Sequence, residues 1–167
     1  MKKTAQDILT SFLFNSKKSS IYLLIIFFGF IVDRITKLKA IETVDTQPIW
    51  INNYLNLDLI WNTGIGFGLL NLKSQLIYNF LSIIILIVIF FLIYYLYKTN
   101  KTEKYFVSLI LSGALGNFYD RIYFRAVPDF IDFHYKDFHW YTFNFADILI
   151  TIGIILILIK TITTKNV

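Results

Sequence analysis

The sequence predicts an all-α polytopic membrane protein: a bundle of four transmembrane helices with both termini on the cytoplasmic side. Three observations lead there. The 167-residue chain is 56% hydrophobic and only 16% charged, against the ~25% charge usual for soluble globular chains. Its Ile, Leu and Phe gather into uncharged runs longer than a small soluble core can bury. Its charges are sorted by segment, with bases in strong excess on one side and acids in slight excess on the other. The length fits one domain. The absence of cysteine excludes disulfides, thiolate metal sites, iron–sulfur clusters and cysteine nucleophiles.

A spanning helix needs about 20 mostly apolar residues at ~1.5 Å rise each. The first span is expected over about residues 20–39. Its uncharged part, Ser20 to Val32, is too short by itself and must continue through Asp33, Thr36 and Lys37. The second, about 76–97, runs from Leu76 to Tyr97 without a charge. The third, about 105–122, starts with Tyr105 to Phe118 and must run on through Asp120 and Arg121. The fourth, about 144–160, is interrupted by Asp147 alone. Acids and bases inside such helices have to be paired and turned to the bundle interior. The start of the chain, with Lys2 and Lys3 before an apolar stretch, has the look of a signal peptide. Lys17 and Lys18 precede the apolar run, however, and Asp33 and Arg34 follow it with no small-x-small cleavage signal. Residues 1–19 are therefore read as a cytoplasmic or interfacial extension, with Met1 to Ser16 a short interfacial helix.

With four spans the charges can be assigned to sides. The amino terminus, the Lys98–Lys104 loop and the carboxyl terminus hold nine bases and two acids; segments 33–73 and 120–147 hold seven bases and nine acids. The positive-inside rule puts the first set in the cytoplasm. The outward segments are not plain linkers. Tyr54 to Ile60 alternates partly with period two, as a half-buried strand does. Asn62 to Gly68 is a glycine-punctuated turn where backbone can approach a partner closely. Phe130 to Tyr141 is dense in aromatics, which suits a lipid interface. No internal repeat is present.

Several chemistries are missing. The chain has no Gly-x-Ser-x-Gly, Gly-x-Gly-Asp or His-Glu-x-x-His, the signatures of other hydrolase designs. His134 and His139 are the only histidines; they are a zinc pair or solvated interfacial side chains, and two ligands alone favour the second. What remains is a set of acids and amides at membrane depth. Asp129 and Asp147 both belong near the outer end of the bundle. Two carboxylates in a low-dielectric site cannot both ionise, so they share a proton and can act as general base and general acid on water. The alternative is that each pairs with Arg121, Arg125 or backbone amides and fastens helices. Asp33 and Lys37, four apart, share a helix face and can neutralise each other. Asn117, Asp120 and Arg121 cover one helical turn and either orient a substrate backbone or tie helices together. Asn62 either donates to a ligand carbonyl or stabilises its turn. Gly113 and Gly116 with Ser112 and Ala114 make a smooth face suited to close helix packing. From residues alone, a non-catalytic carrier or assembly scaffold with proton-binding or helix-fastening acids stays open.

Five short boxes in order resemble a known family, the bacterial lipoprotein signal peptidases (signal peptidase II). They are Asp33-Arg34-Ile35-Thr36-Lys37, Asn62-Thr63-Gly64-Ile65-Gly66-Phe67, Gly113-Ala114-Leu115-Gly116-Asn117-Phe118-Tyr119-Asp120-Arg121, Val127-Pro128-Asp129-Phe130 and Phe143-Asn144-Phe145-Ala146-Asp147. The resemblance implies that Asp129 and Asp147 are the catalytic pair of an aspartic endopeptidase. It implies that Asn62, Asn117, Arg121 and Asn144 line the site, with Asp33, Lys37 and Asp120 supporting it. A small outward-facing β-cradle is implied too. So is a substrate, a prolipoprotein whose diacylglyceryl-modified cysteine marks the cut just before it. The place is the bacterial inner membrane, with the site near its outer face. No cofactor, metal or nucleic acid is implied, and the chain is expected to act as a monomer among membrane lipid. Ser112 stands where many members have glycine, and Ile65 is bulkier than the common alanine. Met1 to Ser19 lies outside the resemblance.

Overall fold

A computed structural model describes residues 17–44, 47–64 and 75–165. The expected interfacial helix, Met1 to Ser16, and the Ile65–Gly68 part of the glycine turn lie outside the described residues. The elements in chain order are α1 (Lys17–Val44), β1 (Ile49–Asn52), β2 (Leu55–Asn62), α2 (Gln75–Lys98), α3 (Lys101–Tyr123), β3 (Val127–Tyr135), β4 (Phe138–Phe143) and α4 (Phe145–Lys165). The chain is mostly helical, with a small antiparallel sheet.

Each helix contains one of the four apolar stretches, and its ends follow local chemistry. Asn100 caps α3, its side chain accepting from the Glu103 amide at 3.1 Å. Glu103 in turn accepts from the hydroxyls of Tyr95 and Thr99 and from Lys160, which ties α2, α3 and α4 together at that end. α1 continues past Asp33 and Lys37 because both are fully buried against other helices.

α3 is the central helix, packed against α1, α2 and α4. This explains why its apolar run is short: it faces protein. Its buried side includes Ser108, Ser112, Gly113 and Gly116. A Cβ on Gly113 would run into the Ala146 carbonyl of α4, and one on Gly116 into the Asp33 carboxylate of α1. The small residues therefore let neighbouring helices approach closely. A cluster of Ile89, Leu96, Val107 and Leu111 fills the space between α2 and α3.

The outside of the bundle is apolar. Phe27 and Phe28 on α1, Phe90 and Phe91 on α2, and Leu158 and Ile162 on α4 are exposed. Charged residues are inside and large hydrophobics outside, the reverse of a water-soluble protein. Tyr78–Lys98 and Phe145–Thr164 are long and apolar enough to cross a membrane, with mean hydropathies of 2.8 and 2.4.

The strands form one sheet in the order β1-β2-β3-β4, every pair antiparallel. It sits at the bundle end where α1 and α3 finish and α4 begins. The sequence pointed to one strand over Tyr54 to Ile60; the structure adds the β3–β4 hairpin across the aromatic-rich stretch. Ile131, Phe133 and Tyr135 alternate with Asp132 and His134 along β3, a period-two signal that the aromatic density of the stretch overshadows. The two-residue turn Lys136–Asp137 closes the hairpin, with Lys136 in the left-handed region at φ 55°.

Candidate active site

Sheet and bundle meet at Asp129 and Asp147. Asp129 is the third residue of β3 and lies opposite Ile60 of β2. Asn62, the last residue of β2, donates to Asp129 Oδ2 at 2.8 Å through its side-chain amide. The Asn62 Oδ1 atom accepts from the Gly64 amide at 2.9 Å, an Asx turn that aims the other end of the side chain at the carboxylate.

Asp147 is placed by the start of α4. Asn144 precedes the helix, and its Oδ1 accepts from the Asp147 amide at 3.2 Å, while Asp147 Oδ2 accepts from the Asn144 amide at 3.1 Å. This reciprocal pair is a capping box with Asp in the third helical position. The remaining Asn144 group, Nδ2, donates to Asp129 Oδ1 at 2.5 Å. One fully buried asparagine thus holds both acids. On the far side, Asn117 Nδ2 of α3 donates to Asp147 Oδ1 at 2.8 Å.

A second cluster stands behind the first. Lys37 Nζ donates to Asn117 Oδ1 at 2.8 Å, to Asp120 Oδ2 at 2.7 Å and to Asp33 Oδ2 at 3.0 Å. Arg34 grips Asp120 with both terminal nitrogens at 2.5 and 2.8 Å and reaches Asp33 at 2.9 Å. Asp33 Oδ1 accepts from the Ala146 amide at 3.0 Å, which anchors the start of α4 to α1. Two acids and two bases make this cluster neutral, and Asp33, Lys37 and Asp120 are fully buried.

The acids of the first cluster have no such partner. Among the described residues no lysine or arginine pairs with Asp129 or Asp147. Burial, followed by the neighbouring Asp147 charge, pushes the Asp129 carboxyl up to about 7 against the partial relief of its amide donors. The Tyr141 hydroxyl in β4 is also raised, by burial and then by the charges of Asp147 and Asp129.

A groove of about 820 Å³ opens beside the pair, between the β3–β4 hairpin and the first turns of α4. Its lining is apolar, with Ile131, Phe133, Phe143, Ile148 and Ile152, and Asp147 on its wall.

The structure brings Asn62, Asn117 and Asn144 onto the two acids and sets Asp33, Lys37 and Asp120 directly behind them. Arg121 goes elsewhere. Its Nη2 donates to the Gly64 carbonyl at 2.8 Å, so it holds the chain just past Asn62 and does not touch either aspartate. Arg34 lies inside the first box yet carried no expected role. The signal was there: Lys37 can neutralise one acid, so Asp120 needed a second base. Thr36 only closes on its own helix, donating to the Asp33 carbonyl.

Residues 25–163 match the family described as signal peptidase (SPase) II. The chain belongs to the signal peptidase II family. It is therefore a protease, and its two convergent aspartates agree with the aspartic class of that family. Among relatives, the lipoprotein signal peptidase of Pelagibacter ubique (strain HTCC1062) is 45% identical over 155 residues, spanning 91% of this chain and 93% of that one. The lipoprotein signal peptidase of Clostridium novyi (strain NT) is 41% identical over 142 residues, 81% of this chain and 93% of its own length. A bacterial membrane enzyme solved by the in meso method at 2.3 Å resolution superposes with a TM-score of 0.74. It is 34% identical, and the match covers 87% of this signal peptidase II chain and 90% of that one. The exposed apolar helices of this signal peptidase II chain fit a membrane enzyme.

Proposed function

We propose that this protein is a membrane aspartic endopeptidase that removes signal peptides from diacylglyceryl-modified prolipoproteins, cutting just before the lipidated cysteine. The observation that carries the reading is the pair Asp129 and Asp147, joined through Asn144 and served only by amide donors. Such a pair retains one proton between its two carboxyls. The ionised carboxylate takes a proton from a water molecule as its oxygen attacks the scissile carbonyl carbon. The protonated carboxyl gives its proton to the carbonyl oxygen. The tetrahedral intermediate then collapses, the C–N bond breaks, and a proton passes to the leaving amine, which returns the pair to its starting state. Apparent pKa values belong to the pair, not to either residue.

In this reading Asn62, Asn117 and Asn144 hold the carboxylates. Asp33, Lys37 and Asp120 hold Asn117 and the start of α4, and Arg121 fixes the chain beyond Asn62. All four helices span the bacterial inner membrane as one monomeric chain, with both termini cytoplasmic and the site near the outer face. The sorting of bases and acids along the sequence supports that orientation. The apolar groove suits a lipidated substrate arriving by lateral diffusion, since each buried methylene contributes about 0.8 kcal/mol.

The test uses purified Asp129→Asn and Asp147→Asn proteins with an acylated prolipoprotein. The parent cleaves it and neither variant does. Substantial cleavage by either variant overturns the pair. The competing carrier or scaffold reading expects no hydrolysis by the parent at any pH.

A further inference from the structure

The β3–β4 hairpin carries a second cluster of chemistry that the proteolytic site does not use. Asp132 and His134 are two apart on β3 and so project from the same strand face. The sheet register sets His139 of β4 directly opposite His134, and side chains of facing residues lie on the same side. His139 Nδ1 is 2.7 Å from Asp132 Oδ2, and His134 Nδ1 is 3.8 Å from the same oxygen. The imidazole rings lie 5.2 Å apart at 22°.

Two buried polar atoms beside this carboxylate lack a hydrogen bond. His134 Nδ1 has no hydrogen-bond partner although its side chain is only 9% exposed. Asn56 Oδ1 has none either, and Asn56 is the β2 residue that pairs with Asp132 in the register. An unpartnered buried polar atom destabilises the fold unless something satisfies it. His134 Nδ1, 3.8 Å from the Asp132 carboxylate, is therefore open to a ligand that the carboxylate also holds. The solvated histidines expected from the sequence describe His139, whose side chain is 55% exposed, but not His134.

We propose that Asp132, His134 and His139 bind a divalent transition-metal ion, Zn²⁺ before others. One carboxylate and two imidazoles are a set that suits zinc, with the fourth tetrahedral position left for water or the Asn56 carbonyl oxygen. The three ligand atoms lie within 4.8 Å of one another. A tetrahedral zinc site needs them about 3.4 Å apart, given bonds of ~2.0–2.1 Å. Small side-chain rotations close that difference, because His139 is largely free in solvent. A neutral imidazole that coordinates through one ring nitrogen keeps its proton on the other. The ion then links β3 to β4 in the hairpin that walls the apolar groove. The proposal does not depend on the proteolytic reading: His134 also lines the groove, but metal binding is measured without substrate.

The experiment uses full-length, untagged protein in detergent, freed of metal by a chelator that is then removed. Co²⁺ is added and followed by its visible absorption, with Zn²⁺ as competitor. One Co²⁺ per chain with a four-coordinate spectrum, displaced by Zn²⁺, is the expected result. His139→Ala, at an exposed position, should leave the thermal midpoint in the presence of chelator unchanged and weaken Co²⁺ binding at least about tenfold. Asp147→Asn should bind as the parent does. Absence of stoichiometric binding, or binding that His139→Ala leaves unchanged, overturns the proposal.

Discussion

Asp33, Asp120, Asp129 and Asp147 are of one chemical type but sit in two opposite surroundings. Asp33 and Asp120 lie among Lys37 and Arg34, so their charges are matched one for one. Asp129 and Asp147 receive hydrogen bonds from Asn62, Asn117, Asn144 and a backbone amide, and no positive charge. Amides orient a carboxylate but, unlike Lys37 and Arg34, do not neutralise its charge. The two clusters also share a member. Asn117 takes a hydrogen bond from Lys37 on one side and gives one to Asp147 on the other. The neutral cluster thus positions the amide-held one while its own charges stay matched.

The largest expected effect comes from removing the reactive acids. Asp129→Asn or Asp147→Asn should lower cleavage by about 10²–10⁴-fold or more, the range for losing a general acid or base. Stability should move the other way. A carboxyl pushed up to about 7 in the folded protein, from 3.8 otherwise, contributes stability that is complete below pH ~4 and is lost as pH rises through ~7. At pH 8, Asp129→Asn should therefore melt above the parent. A variant that is both inactive and less stable at that pH would break the contrast between the clusters.

The matched cluster should respond in reverse. Lys37→Met leaves Asp33 and Asp120 with Arg34 as their only nearby cation, and breaking a buried pair in this way costs about 3–5 kcal/mol. Chemical unfolding should register that loss, and activity should fall with it as Asn117 loses its anchor. Asp120→Asn added to Lys37→Met should recover part of the loss, because the uncompensated charge is gone. Gly113→Ala should cost less, about 1–3 kcal/mol, since its Cβ runs into the Ala146 carbonyl two residues from Asn144. A melting curve for Gly113→Ala that matches the parent would remove close α3–α4 packing from the account.

How much of this contrast was legible beforehand depended on range. The uncharged runs of α2 and α4 are read directly from composition, and the Asp33–Lys37 pairing follows from their four-residue spacing. The asparagines were visible as residues of short boxes. Arg34 was not assigned a partner, because Asp120 is 86 positions away and helix periodicity says nothing about which helices adjoin. The reciprocal Asn144–Asp147 cap was hidden for another reason: an acid three residues after an asparagine marks a helix start in any protein, and only Asp129 beside it makes the cap part of a site. The β3–β4 hairpin escaped because a stretch dense in aromatics reads equally well as a segment lying at the lipid interface. Arg121 was expected to line the site, and its contact with the Gly64 carbonyl, 57 positions away, was not legible either.

The smallest effect probes the amide surroundings themselves. Asn62 donates to Asp129 and favours its charged form, opposing burial and the Asp147 charge. Asn62→Ala removes that donor and leaves the acid's two raising influences unopposed at that oxygen. The Asp129 carboxyl then moves further up, and the pair keeps its shared proton to higher pH. Cleavage measured against pH should show an alkaline limb near 7 in the parent, where the last proton leaves and general-acid catalysis ends. In Asn62→Ala that limb should lie at higher pH, even though the rate on the plateau drops for want of a fixed carboxylate. Asn62→Lys should move the limb the opposite way, since it places beside Asp129 the kind of cation that already neutralises Asp33 and Asp120. If both substitutions moved the limb in the same direction, the difference between amide-held and cation-held carboxylates would not be what separates the two clusters.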